Sequence, residues 1–215
     1  MKLVFKTKEE WLEARKGKIT STMASAILGL NPYFTSQDAW EYLVGIKTPS
    51  DISDRPQVKY GLEAEKHIRN LFALNHPEYE VEEIKDGEWH LYVDDEFPFI
   101  CASGDGTYTK KVNGKKGSLE FKTSEILSSQ HKENWKQSIP SNYFCQVLLE
   151  IRCQKTDEAT LVAELKYATD YTVRKEYEIQ REDVQDDIDY IVKGVVDFYY
   201  KYVVTGKRPP LVLDI

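Results

Sequence analysis

The spacing of apolar residues changes along the chain. In the first third they recur every three or four positions, as in amphipathic helices, and from about residue 81 they alternate with polar residues, as in strands. Together with Gly and Pro stops, the pattern predicts helices over residues 8–13, 20–28, 36–44, 60–74, 139–153 and 181–204. It predicts strands over residues 81–84, 89–93, 99–102, 159–166 and 171–179, and a hairpin over residues 104–123.

Residues at the helix starts and in the loops refine this prediction. Thr7 is the expected N-cap of the first helix and Ser36 that of the third, while the Pro- and Asp-rich residues 48–56 predict an exposed loop. The predicted elements come in the order helices, strands, a helix, strands and a last helix. This order predicts an α/β (α+β) fold with a central mixed β-sheet flanked by helices. No repeat or Gly/Ser-rich linker divides the chain, so we expect a single domain over residues 1–215.

The composition excludes several classes of protein. Aromatic residues make up 12% of the 215, more than a disordered chain carries. No apolar run reaches about 18 residues and the N-terminus lacks a signal-peptide pattern, so we expect a cytoplasmic protein with no membrane partner. Three cysteines cannot form a disulfide framework or, unaided, a zinc site. The net charge of −7 means that nucleic-acid binding would need a local basic patch, such as residues 15–18 or 110–116.

The predicted hairpin brings three reactive side chains to one face. Asn113-Gly114 predicts a two-residue turn, which sets Asp105 opposite Lys122 and Thr107 opposite Glu120. Because side chains alternate between the two faces of a strand, Asp105, Glu120 and Lys122 then project from the same face. A register shift by two residues leaves this result unchanged, whereas a one-residue slip would break it.

Two interpretations of these three side chains are open. Carboxylates on one face, with Cβ atoms ~5–8 Å apart, can share a hard divalent cation such as Mg²⁺ or Mn²⁺. Alternatively, Lys122 forms a cross-strand salt bridge with Asp105 or Glu120.

Two residues on predicted helices could join this cluster. Glu65 lies on or beside the apolar stripe of helix 60–74, where a carboxylate is costly unless it is paired, for example with Arg69, or binds a metal. Gln146 lies in helix 139–153, which is apolar nearly all round, so its amide needs a hydrogen-bond partner. That partner is either the reactive cluster or a backbone group of the core.

Five short motifs follow one another in an order that resembles a known family. They are Trp11, Arg15 and Gly17 with residues 19–22 and 27–33; Gly61 with Glu65; residues 103–106; residues 119–123; and Tyr143 with Gln146. From about Trp11 to Ile151 the chain resembles the lambda-type phage exonucleases and YqaJ-type viral recombinase nucleases, a branch of the PD-(D/E)XK superfamily. One departure is Gly104, because a proline often precedes the aspartate in this family.

The resemblance implies a restriction-endonuclease-like core and a two-metal active site. The implied metal ligands are Glu65, Asp105, Glu120 and the backbone carbonyl of Phe121, holding two Mg²⁺ ions that Mn²⁺ can replace. The implied catalytic residues are Lys122 and Gln146 together with Glu120 and Asp105.

The resemblance also implies a site for the terminal 5′ phosphate of DNA. Its residues would be Arg15, Thr22 and Ser103, since a guanidinium fork matches phosphate and hydroxyls donate to it. The alternative is an ordinary surface Arg15 and hydroxyls at Thr20 and Thr22 that cap a helix.

The function implied is a Mg²⁺-dependent 5′→3′ exonuclease that hydrolyses double-stranded DNA from its ends and leaves 3′ single-stranded tails for phage-type homologous recombination. The implied partners are DNA ends, a single-strand annealing protein and, as in lambda-type relatives, two further copies in a homo-trimer. The alternatives are a PD-(D/E)XK endonuclease or DNA-repair nuclease without end dependence, and a non-catalytic DNA-end-binding module.

Overall fold

In the part of the chain that the structure describes, helices predominate up to residue 75, five strands follow up to residue 126, and further helices and two long strands complete the fold. The structure is a computed structural model that describes residues 1–48, 52–82, 84–85, 87–136, 138–167 and 171–211. Its helices are α1 (Lys8–Arg15), α2 (Ser21–Ile27), α3 (Ser36–Leu43), α4 (Pro56–Asn75), α5 (Ser129–Asn134), α6 (Ser141–Gln154) and α7 (Gln185–Phe198). Its strands are β1 (Lys2–Phe5), β2 (Ile19–Thr20), β3 (Tyr79–Val81), β4 (Trp89–Val93), β5 (Ile100–Ala102), β6 (Gly106–Lys110), β7 (Lys116–Ile126), β8 (Glu158–Tyr167) and β9 (Tyr171–Gln180).

The strands form two mixed sheets. The first has the order β1-β4-β5-β2, in which only β2 and β5 run parallel. The second has the order β3-β6-β7-β8-β9, and its parallel pair is β7 with β8. The predicted α/β class with a mixed sheet flanked by helices is confirmed, and the structure adds a second mixed sheet, because β1 at the N-terminus pairs with β4, which pairs with β5.

Helix α6 lies between the two sheets and α4 covers the outer face of the second one. Helix α6 contacts β4 and β5 of the first sheet and β7 and β8 of the second, which explains why it is apolar on nearly every side. On α4, Ile68 and Phe72 pack with Leu119 and Phe121 of β7. Because side chains alternate along β7, Glu120 projects to the opposite face, towards α6.

Of the two predicted helix caps, one is confirmed and one is wrong. Thr7 caps α1 as predicted, accepting a hydrogen bond from the Glu10 amide at 3.2 Å. The predicted cap Ser36 is wrong: Thr35 caps α3 through a capping box in which Thr35 and Asp38 exchange hydrogen bonds. A capping box satisfies two free amides at once, which favours Thr35 over its neighbour.

Several helices and strands begin or end at residues other than the predicted ones, because tertiary contacts set their boundaries. Thr20 belongs to β2 rather than to the predicted helix 20–28, because it pairs with Cys101 of β5. Strands β1 and β2 and helix α5 were not predicted. Strand β3 ends at Val81, so residues 82 and 84 of the predicted strand 81–84 are not in a strand, and residue 83 lies outside the described residues. The predicted closing helix 181–204 consists of a 3₁₀ turn (Arg181–Asp183), α7 and a π-helical turn (Tyr199–Val203). Residues 49–51 of the predicted loop also lie outside the described residues.

An ion-paired histidine joins the end of α4 to the second sheet. His76 Nδ1 lies 3.1 Å from Glu78 and His76 Nε2 lies 2.8 Å from Glu176 of β9. Burial opposes the charged imidazole, but the two carboxylates outweigh it and raise the pKa of His76. In the described part of the chain, no helix is both long and apolar enough to cross a membrane.

Candidate active site

The hairpin of β6 and β7 carries the candidate carboxylates, in a register two residues away from the predicted one. Thr107 faces Ser118 rather than Glu120, and Asp105, just before β6, comes opposite Glu120 rather than Lys122. The predicted two-residue turn is wrong, because the strands are joined by a four-residue turn. The register differs from the predicted one by an even number of residues. Asp105, Glu120 and Lys122 therefore still project from the same face of the sheet, as the sequence predicted.

Glu120 is the centre of the candidate site and is 2% exposed. Its Oε1 accepts hydrogen bonds from Lys122 Nζ and from Gln146 Nε2, the latter at 2.5 Å. Its Oε2 is buried and has no hydrogen-bond partner among the described residues. The predicted salt bridge of Lys122 is therefore present, but it runs along one strand rather than across two, and it leaves one oxygen of Glu120 unpaired.

Asp105 is fixed by backbone and arginine contacts. Its Oδ2 accepts from the Phe121 amide at 2.7 Å. Because the N–H and C=O of one strand residue point to the same neighbour, the Phe121 carbonyl points to the side where Asp105 lies. Arg69 donates to the Asp105 carbonyl oxygen at 2.7 Å, so the predicted alternative of a Glu65–Arg69 salt bridge is not found.

The candidate site holds more negative charge than its lysine neutralises. Burial and the charge of Glu120 raise the pKa of Glu65 to about 7. Burial and the charges of Glu120 and Glu65 raise the pKa of Asp105 well above its usual range. Burial works against a charged Lys122, but Glu120 and Asp105 outweigh it and raise the pKa of Lys122 above its usual range.

The chemistry of these carboxylates fits a divalent cation. Among the described residues, no three His, Cys, Asp or Glu side chains are close enough to enclose a metal ion as they stand. Glu120 nevertheless offers a buried, unpartnered oxygen, and Glu65 and Asp105 carry the carboxylate oxygens that hard cations prefer. A cation between them would relieve their mutual repulsion, so the residues fit the predicted metal, and the ligand assignment stays a prediction.

A pocket of about 310 Å³ beside the carboxylates contains all three predicted phosphate-binding residues. Arg15, Thr22 and Ser103 line it together with Glu65 and Asp105. These residues come from α1, α2, the segment before β6, and α4, so the fold brings together positions up to about 90 residues apart. Their role in phosphate binding stays a prediction.

Arg15 is held flat in this pocket by an aromatic ring. Its guanidinium carbon lies 4.0 Å from the ring centroid of Trp11, whose Nε1 donates to Ser103 Oγ at 3.3 Å. Burial lowers the pKa of Arg15, but a guanidinium keeps its charge at neutral pH. Arg15 forms no ion pair with any described residue, so its charge is available to an anion.

The hydroxyl of Thr22 is also available to the pocket. Thr20, rather than Thr22, caps α2, accepting from the Met23 amide at 3.3 Å. The alternative that Thr22 is a helix cap is therefore wrong, whereas the same alternative for Thr20 is confirmed.

Gln146 joins the cluster and leads to a residue that the sequence analysis missed. Its Nε2 donates to Glu120 and to Glu150 Oε1, the latter at 3.0 Å, so the alternative of an amide that caps a core backbone group is not found. Glu150 is fully buried one turn further along α6, and burial and the charge of Glu120 raise its pKa well above the usual range. The sequence could have indicated Glu150, because it is a glutamate in an otherwise apolar helix and lies four residues after Gln146.

The predicted basic patch at the hairpin tip is partly used within the chain. Lys110 pairs with Glu158 at 2.6 Å and Lys111 donates to the Pro77 carbonyl at 2.7 Å. Near α1, Lys16 pairs with Glu13. These three lysines are therefore engaged within the chain, whereas Arg15 lines the pocket beside the carboxylates.

Comparisons with known proteins agree with the fold and with the motifs. The chain is 27% identical over 222 residues to the uncharacterized protein YqaJ of Bacillus subtilis (strain 168), covering 95% of this chain and 59% of the relative. The chain thus spans about three-fifths of the length of that curated relative.

Two solved structures are similar in fold. The alkaline exonuclease LHK-Exo of Laribacter hongkongensis superposes with a TM-score of 0.63 and 17% identity, covering 94% of this chain and 97% of that chain. A phage related exonuclease from Haemophilus somnus 129PT superposes with a TM-score of 0.56 and 14% identity, covering 88% and 96%. At these identities the likeness concerns the fold alone, and it confirms the predicted restriction-endonuclease-like core.

The sequence also matches a family model over most of the predicted motifs. The matching model is that of the YqaJ-like viral recombinase domain, over residues 10–160. Because this match covers well over half of the chain, the protein belongs to the family of YqaJ-like viral recombinase domains.

Proposed function

We propose that this chain is a Mg²⁺-dependent exonuclease that degrades the 5′-ended strands of double-stranded DNA from its ends. The 3′ single-stranded tails that it leaves would serve phage-type homologous recombination. The observation that carries the proposal is the single pocket in which Arg15, Thr22 and Ser103 lie beside Glu65 and Asp105. Such a pocket combines a cation for a terminal phosphate with carboxylates for hydrolysis. The names of the two similar structures, both exonucleases, support the same activity.

The residues around Glu120 have distinct roles in this proposal. Two Mg²⁺ ions, or Mn²⁺ in their place, bound by Glu65, Asp105, Glu120 and the Phe121 carbonyl, would supply an activated water and stabilise charge on the phosphate. Lys122 Nζ donates to Glu120 and lies 5.3 Å from the ring centroid of Tyr143. In this proposal Lys122 orients the attacking water or balances charge on the phosphate. Gln146 donates to the same oxygen of Glu120 as Lys122 does.

The pocket around Arg15 would select the end of the strand. A terminal phosphate carries more negative charge than an internal one, so an unpaired guanidinium discriminates between them. Hydroxyls of Thr22 and Ser103 add donors with little charge of their own. The annealing partner and the homo-trimer stay predictions from the family resemblance.

The test is digestion of linear duplex DNA with 5′-phosphorylated ends, with closed-circular duplex alongside. We expect Mg²⁺-dependent release of nucleotides from the linear DNA, none from the circle, and none in EDTA. Glu120→Gln keeps the shape of the side chain but removes a charge, and should lower the rate by roughly 100-fold or more. The matched control is Glu158→Gln, which alters another buried glutamate (1% exposed), outside the candidate site, and should retain activity.

Two outcomes would contradict the proposal. Cleavage of the closed circle at a comparable rate would indicate an endonuclease without end dependence. A folded protein that releases no nucleotides in Mg²⁺ or Mn²⁺ would indicate a non-catalytic DNA-binding module.

A further inference from the structure

Glu150 is a buried acid next to the candidate site that has no role in the proposed chemistry. It is 0% exposed, in a helix that lies between two sheets. Its Oε1 accepts from Gln146 Nε2 at 3.0 Å, and the same nitrogen donates to Glu120 at 2.5 Å. Burying a carboxyl group is costly, and a leucine at this place would pack without that cost.

We propose that Glu150 is a positioning residue, which fixes the side-chain amide of Gln146 so that this amide donates to Glu120. The inference rests on the proposed nuclease function, because it assigns a supporting residue to the same site.

The geometry explains how the amide is fixed. A glutamine side chain rotates about three bonds, and one hydrogen bond to Glu120 leaves several of these rotations free. Glu150 lies four residues after Gln146, where side chains on one helix face each other. With both protons of Nε2 engaged by Glu120 and Glu150, the amide has one orientation, and its oxygen faces away from the two carboxyl groups.

Glu150 lies beside other buried polar side chains. A Cβ atom placed on Gly104 would lie 3.5 Å from Glu150 Oε2 and 3.4 Å from Ser118 Oγ, which are ordinary contacts, and would overlap Gln154 Nε2. Gly104, which stands where the family often has a proline, therefore makes room for the amide of Gln154, one helical turn after Glu150.

The shape and the acceptor oxygen of Glu150 decide the choice of variants. Glu150→Gln keeps the shape of the side chain and the acceptor oxygen that faces Gln146. Glu150→Leu keeps most of the volume and removes the acceptor.

The experiment compares these variants in steady-state digestion of 5′-phosphorylated linear duplex in Mg²⁺. Glu150→Leu should lower kcat by about 10- to 100-fold with little change in KM, because a misplaced active-site group costs rate at this scale. Glu150→Gln should restore most of the rate. Gln146→Ala should lower kcat to the same extent, and Gln146→Ala combined with Glu150→Leu should lower it no further, because both act through one contact.

A control separates positioning from packing. Ile151→Ala removes a fully buried side chain from the same helix without touching Gln146, and should lower the melting temperature while kcat is retained. If Glu150→Leu does not fold, Glu150→Asp takes its place, since it withdraws the acceptor by one methylene, and a lower kcat is again expected. Unchanged kcat in the folded variant, or losses that add in the double variant, would overturn the proposal.

A second readout does not depend on activity. In metal-free protein with ¹⁵N-labelled glutamine, the side-chain amide resonances of Gln146 should move in Glu150→Leu and stay in place in Glu150→Gln. Resonances that do not respond to Glu150→Leu would also overturn the positioning role. If the wild-type protein releases no nucleotides, the proposed function fails, and these spectra still decide whether Glu150 fixes Gln146.

Discussion

Replacing Arg15 tests whether this protein reads the 5′ end of a DNA strand. Arg15 is half-buried, stacks on Trp11 at 4.0 Å, and lines the pocket that also contains Glu65 and Asp105. Arg15→Ala removes the guanidinium and leaves the carboxylates in place. The expected result is a protein that still cleaves linear duplex but no longer prefers a 5′-phosphorylated end to a 5′-hydroxyl end.

The size of the effect follows from the charge and the exposure of Arg15. A terminal phosphate gains about one further negative charge at neutral pH. At a contact distance of about 4 Å, one charge pair contributes about 1 kcal/mol in water and about 4 kcal/mol at the effective dielectric constant of a protein surface. Because Arg15 is partly open to solvent, we expect about 1–2 kcal/mol, or roughly a 5- to 30-fold preference for the phosphorylated end in the wild-type protein.

The assay measures initial rates on two linear duplexes that differ only in the 5′ group. Arg15→Ala should bring the ratio of rates close to one, and Arg15→Lys should give an intermediate ratio, because lysine keeps the charge but loses the planar fork. Lys16→Ala is the matched control, since Lys16 is an exposed neighbour paired with Glu13, and it should leave the ratio unchanged. Equal wild-type rates on both ends would refute the phosphate pocket, even if the enzyme is active.

Two further predictions concern stability. His76, whose pKa is raised by the carboxylates on both of its ring nitrogens, stabilises the fold below its unfolded pKa of 6.5, and this contribution is lost as the pH rises through the folded pKa. His76→Gln should therefore lower the melting temperature more at about pH 5.5 than at about pH 8.5, and equal losses would contradict the ion pairing. Gly117→Ala should cost roughly 1–3 kcal/mol in urea unfolding, because its Cβ would overlap the buried ring of Tyr108. Gly106→Ala, whose Cβ would make only ordinary contacts, is the control and should cost less, so equal losses would argue against the overlap.

The sequence alone was sufficient to predict that three polar side chains of the hairpin project from one face. Side chains alternate between the two faces of a strand with a period of two residues. Asp105, Glu120 and Lys122 therefore project from the same face after any register shift by an even number of residues. That is why the prediction survived a wrong turn type and a wrong pairing partner for Asp105. The motifs around these residues were also sufficient to identify the family, because they depend on the order of residues and not on their contacts.

The tertiary structure decided which predicted residues meet. Nothing in the local pattern places Arg15 and Ser103 in one pocket, since three helices and four strands separate them along the chain. It also decided the number of sheets, because β1 and β4 pair across almost 90 residues, and such pairing is not encoded in local periodicity. Thr20 was assigned to a helix for the same reason, as its strand partner Cys101 lies far along the chain.

The role of Glu150 shows the physical limit of sequence interpretation most clearly. Its apolar helix predicted burial, and burial predicted that Gln146 would need a partner. Whether that partner was the backbone, Glu120 or Glu150 depended on where α6 lies against β7, which is fixed by packing between two sheets. Periodicity along the chain determines which face of an element a side chain occupies, whereas the contacts between faces are set by the packing of the whole fold.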